Sequence, residues 1–156
     1  MGVTPLGAHA LQQGMNEKYQ LFTDLVSGAA DIAHYTPGLC YDAVAFCLAL
    51  QGRISYDIMT GRGGQNLLPV FSFDNGALWG GENIAQGCAV GFKRIGNYDP
   101  GYYHAALAVG GGTVIRGVNS VTMTPGWPYH FDLQNLQEND QGVYFHDDQP
   151  IEVRYV

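Results

Sequence analysis

The eleven residues Cys40–Leu50 (Cys-Tyr-Asp-Ala-Val-Ala-Phe-Cys-Leu-Ala-Leu) carry a single charged side chain, Asp42. Wound as a helix, such a run is apolar on every side, and a helix of that kind is stable only when other elements surround it. The remainder of the chain must therefore supply layers that cover this segment. Thr36-Pro-Gly38 marks a turn ahead of the run, and Gly52 just beyond it offers the left-handed residue on which helices commonly stop. The run is expected to be the central helix of the fold.

The covering layers are legible to different degrees. Leu11, Met15, Tyr19, Leu21, Phe22 and Leu25 recur at helical spacing, which predicts a flanking helix over residues 10–32, interrupted at Ser27-Gly28. Between Gly61 and Gly81 the glycines, Asn66, Pro69, Asp74 and Asn75 predict loop with short strands, the best of them at residues 70–73. Four short apolar runs follow, at 88–92, 104–109, 113–118 and 151–156, the last alternating as a half-exposed strand does. Together they predict an antiparallel sheet behind a helical front, an α+β fold. No repeat, low-complexity tract or linker divides the chain, so residues 1–156 are expected to form one domain.

Gly110-Gly-Gly112 between the second and third runs signals a hairpin. A turn centred on Gly111-Gly112 places His104 opposite Asn119, whereas a three-residue loop would place Val118 there.

Charge and cysteine usage narrow the function. A net charge of −7 with only 7 Lys+Arg and no basic run argues against a nucleic-acid groove and against adhesion to an anionic membrane. No run approaches the roughly 18 to 20 apolar residues of a membrane span. The first ten residues lack a basic stretch followed by an apolar core, so no classical secretion signal is expected. The location is either cytoplasmic or reached through a specialised export system. Three cysteines cannot all pair within the chain, and Cys47, inside the apolar helix, reads as a core residue.

Chemistry concentrates at two places. Cys40 stands where the central helix begins, and His104 opens a strand further along. A thiol is activated by a helix N-terminus and by a neighbouring imidazole, and this order of elements offers both. No Gly-x-Ser-x-Gly elbow occurs, and Gly61-Arg-Gly-Gly64 lacks the Lys-Ser/Thr of a phosphate loop. His130 and His146 read as loop residues, and no spaced His/Cys cluster predicts a metal, so neither metal nor cofactor is expected. Arg116 reads as part of a solvated strand face. Trp79 and Trp127, on glycine-rich loops, are candidates for the core, a lid or the lining of a cleft.

The helix headed by Cys40, the segment Gln86-Gly-Cys-Ala-Val-Gly-Phe92 and the strand and glycines of His104-Ala-Ala-Leu-Ala-Val-Gly-Gly-Gly112 resemble the papain-like cysteine hydrolases of the NlpC/P60 and CHAP type over residues 36–120. The resemblance departs from the family pattern at Gly-Leu-Cys40-Tyr-Asp, which lacks the preceding Asp and following Ser-Gly, and at Cys88, which stands where the family carries Asp. It implies a helix bearing the nucleophile packed on an antiparallel sheet, with Cys40 as nucleophile, His104 as base and Asn119 as the polar third residue. It also places an oxyanion-hole side chain ahead of the cysteine, for which His34, six residues upstream, is a candidate, with Tyr35 or Tyr41 as alternatives.

The activity so implied is hydrolysis of an amide in a peptide substrate, either a peptidoglycan stem peptide or a protein, as in small effector amidases that pair with an immunity or inhibitor protein. Two alternatives stay open. One is a glutamine deamidase or acyl-transferring toxin acting on a host protein, which shares the first half-reaction. The other is a non-catalytic peptide-binding domain on the same fold, which requires only an ordinary thiol.

Overall fold

The computed structural model describes residues 1–96 and 101–156. Five helices lie in the first half: α1 (Pro5–Leu11), α2 (Met15–Ser27), α3 (Cys40–Leu50), α4 (Tyr56–Gly61) and α5 (Leu68–Phe71). The strands follow as β1 (Ala77–Leu78), β2 (Ala89–Arg94), β3 (Tyr102–Ala108), β4 (Val114–Arg116), β5 (Phe131–Asp132), β6 (Gln137–Glu138), β7 (Tyr144–His146) and β8 (Gln149–Tyr155). They form a single sheet in the order β5-β4-β3-β2-β8-β7-β6, with β1 also paired to β8. Every ladder is antiparallel. The fold is therefore α+β, and among the described residues no helix is long and apolar enough to cross a membrane.

The helix α3 is as central as its composition requires, for all eleven of its residues are buried. Its neighbours on the helical side are α1, α2, α4 and the 64–67 turn, and on the other side it lies on β3 and β2. Along β3 the pleat sends Ala105 and Leu107 into the core that holds α3, and Ala106 and Ala108 into a second core with Val90, Phe92, Ile115 and Met123. The small side chain at Ala105 lets helix and strand approach closely.

Three expectations change in detail. The flanking helix over 10–32 is two helices, because Gly14 is extended and starts α2 afresh, while Gly28 ends it at φ +83. Glycine is doubly required there: an added Cβ would meet the Arg116 guanidinium at 2.7 Å. The strand expected at 70–73 is instead a helical turn. Pro69 sits at its start, where a missing N–H costs nothing, and Ser72 at φ +54 then reverses the chain. Phe71 and Phe73 are both buried by stacking on each other at 5.0 Å, so their two-residue spacing arises without a strand. The hairpin keeps the register read from Gly111-Gly112, with Leu107 opposite Arg116 and Ala108 opposite Ile115. The ladder ends at that first pair, however, and Asn119 has left the sheet in a left-handed conformation at φ +67.

Candidate functional site

Cys40 is the first residue of α3, preceded by the extended Leu39, so its side chain sits among N–H groups that the helix itself does not pair. The backbone N–H groups of Ala105, Tyr41 and Cys40 itself approach the sulfur. The residue is only 6 % exposed. Burial raises the thiol pKa and outweighs those N–H groups, and the nearby Asp42 carboxylate adds to the rise. Asp42 is buried in the first turn, accepting from Gly64 N–H at 2.7 Å, and burial raises its own pKa. That bond folds the 63–64 segment over the helix N-terminus.

The sulfur therefore lies beside the peptide that joins His104 to Ala105. The adjoining hydroxyl of Tyr41 donates to Tyr102 O at 2.6 Å and ties the start of α3 to the start of β3. His104 itself is 2 % exposed and turns its ring toward the second core, 5.5 Å from the ring of Phe92, its cross-strand partner. Its Nε2 shares a 2.9 Å hydrogen bond with Thr124 Oγ1, and its Nδ1 makes no hydrogen bond among the described residues. Burial, together with the positive charge that His146 acquires when protonated, pushes the His104 pKa down to about 4. No hydrogen bond joins the Cys40 and His104 side chains.

The other candidates fall in different places. Asn119, expected beside the imidazole, is an exposed residue of the loop after β4, and Thr124 occupies the position it was expected to fill. Tyr35 stacks on Phe46 at 5.5 Å as part of the core around α3. His34 is exposed at the end of a short 3-10 turn, its ring edge-on to Tyr35. Arg116 is no solvated strand residue: Nε donates to Val26 O at 2.8 Å and Nη2 to Ser27 O at 3.0 Å, closing the C-terminus of α2. Trp127 and Trp79 are buried, their indole N–H groups donating to Leu25 O and Glu82 O. His146, expected in a loop, is a buried residue of β7.

Sequence reasoning passed over Tyr103, Thr122 and Thr124 and read His146 as a loop residue, whereas all four gather with His104 on the second face. Their one local signal was Asp147-Asp148, a two-residue turn with φ +51 and +62 that marks a tight hairpin and makes His146 a strand residue. Among the described residues no three His, Cys, Asp or Glu side chains converge to hold a metal ion. A cleft of about 480 Å³ opens at the head of β3, lined by Gln65, Leu68, Phe73, Asp74 and Tyr102 among others. Comparison with protein-family models and with curated proteins gives no match for this chain.

Proposed function

We propose that the chain is a papain-like cysteine amidohydrolase, with Cys40 as nucleophile, His104 as general base and Thr124 orienting the imidazole. The observation that carries this reading is the placement of the Cys40 sulfur against the Ala105 N–H, at the root of His104, while Thr124 engages Nε2 and leaves Nδ1 unbonded. In the tautomer whose Nε2–H donates to Thr124, the Nδ1 lone pair is the one able to take a thiol proton. The ring faces the second core in the resting protein, so on this reading it must approach the thiol when substrate is bound.

The shifts imply a resting pair of neutral thiol and neutral imidazole, since burial raises the one pKa and lowers the other. The proton then moves as the sulfur attacks. Cys40 Sγ bonds to the amide carbon, His104 takes the thiol proton and passes it to the departing amine, and water activated by His104 cleaves the thioester. The Cys40 N–H is one oxyanion donor; Tyr41 is committed to Tyr102, which leaves His34 and Tyr35 as candidates for the second. The cleft beside Tyr102 is on hand for the peptide flanking the scissile bond, from peptidoglycan or from a protein. A glutamine deamidase or acyl transferase would use the same first step and differ in releasing ammonia or accepting a second nucleophile. An effector of this kind would call for an inhibitor protein as partner.

One observation favours a different reading: the thiol is buried and its pKa is raised, as in a non-catalytic peptide-binding domain. Iodoacetamide labelling with peptide mapping separates the two. Base assistance predicts that Cys40 in the native protein reacts about tenfold faster at pH 7 than in His104→Ala. Equal rates in the two proteins would leave only the binding domain.

A further inference from the structure

The loop that presents Thr124 is itself held, and by a second histidine. Residues 120–124 form a tight turn closed by Ser120 N–H donating to Thr124 O at 3.1 Å, with Val121 90 % exposed at its tip. From this one turn, two hydroxyls two residues apart reach two imidazoles. Thr124 Oγ1 meets His104 Nε2, and Thr122 Oγ1 meets His146 Nε2 at 2.8 Å. The other nitrogen of His146, Nδ1, lies 2.9 Å from the hydroxyl of Tyr103, the residue before His104.

Tyr103 is able to reach His146 because β3 carries a bulge: Phe92 pairs with His104 but Lys93 pairs with Tyr102, leaving Tyr103 as the extra residue. Tyr103 and His104 consequently share the second face, where a regular strand would separate them. The protons run in one direction along the cluster. Thr122 also lies 3.0 Å from Asp147 Oδ2, and a carboxylate only accepts, so the single Thr122 hydroxyl proton goes there. His146 Nε2–H then donates to Thr122, and His146 Nδ1 accepts from Tyr103. Asp147 is fixed in turn by its left-handed place in the β7–β8 hairpin. The circuit combines chain and hydrogen bonds: His104 is bonded to Tyr103 along the chain, hydrogen bonds run across His146 to Thr122, the turn leads to Thr124, and a hydrogen bond returns to His104.

We infer that Thr122, braced by His146 and Asp147, is a positioning residue that holds the Thr124 hydroxyl on His104 Nε2 and thereby leaves Nδ1 as the nitrogen able to take a proton. This rests on the amidohydrolase reading for its purpose but not for its geometry. Arg94, whose guanidinium lies 4.3 Å above the Tyr103 ring, flanks the same cluster.

The test uses the full chain and three variants, Thr122→Val, Thr122→Ser and His104→Ala. Long-range proton–nitrogen spectra report the His104 tautomer and the exchange of its Nε2–H, and iodoacetamide reports Cys40, with the half-buried Cys88 as internal control. Thr122→Val is expected to speed Nε2–H exchange about tenfold and to slow Cys40 labelling toward the His104→Ala rate while Cys88 is unchanged. Thr122→Ser is expected to restore both. Native-like His104 spectra and exchange in Thr122→Val would overturn the inference. Altered His104 spectra in Thr122→Val, together with a Cys40 rate indifferent to His104→Ala, would uphold the brace and remove the amidohydrolase reading instead.

Discussion

The two faces of the sheet are built by different physics. On the helical face, Cys40 is placed by α3, which shares one apolar core with Leu25, Ile32 and Leu107, and its immediate environment is backbone N–H. On the opposite face, His104 is placed by hydroxyls and a second imidazole set into a smaller apolar layer around Phe92 and Ile115. Apolar packing has no titratable part, whereas an imidazole held neutral by burial depends on pH. The two halves of the site should therefore fail under different insults.

The largest difference should come from volume. Phe46→Ala is expected to cost about 3–5 kcal/mol by leaving a cavity under α3, and the cost should be the same at pH 7 and pH 5 when measured by urea unfolding. A strong pH dependence of that cost would break the distinction. Acid should act on the other face. Above the ordinary imidazole pKa of 6.5, folded and unfolded chains both hold a neutral His104. As pH falls the unfolded chain takes up a proton near 6.5, but the folded chain takes none until about 4, so stability declines across that window. The loss from His104 is about 3 kcal/mol, and His146, shifted downward chiefly by its burial, adds in the same direction. His104→Gln should flatten the decline, and an unchanged slope would show that the acid sensitivity lies elsewhere.

The smallest effect sharpens the comparison at its exception. Arg116 is opposite Leu107 and so on the helical face, where its guanidinium meets the carbonyls of Val26, Ser27 and Trp127. Arg116→Ala should cost about 1–2 kcal/mol, from charge-assisted bonds at a helix C-terminus, and should lower the thermal midpoint without altering the pH profile.

What could be read from the chain follows the same division. The central helix was legible because one run of eleven residues with one charge has few other fates. The hairpin was legible because three glycines in sequence define a turn, but they left two registers open and only the ladder chooses between them. Asn119 was misplaced because register extends only as far as the ladder, and nothing in the residues after Arg116 announces where pairing stops. Thr122 and Thr124 left no pattern at all, since a hydroxyl that meets a distant imidazole has no local periodicity. The helical turn at 68–71 was hidden for a related reason: buried aromatics at two-residue spacing mimic a strand when a left-handed Ser72 does the turning.

The bulge in β3 makes chain length there matter in an unusual way. Because Tyr103 is the unpaired residue, removing it would restore a regular ladder and leave Tyr102 and His104 opposite the same partners. The damage would fall on the groups around Tyr103: His146 would lose its Nδ1 contact and Arg94 the ring beneath its guanidinium. A residue inserted between Ala105 and Leu107 would instead invert every side chain on one side of it. A shortening of β3 by one residue would thus leave the ladder regular and be felt in the cluster around His146 and Arg94 rather than in the register of the sheet.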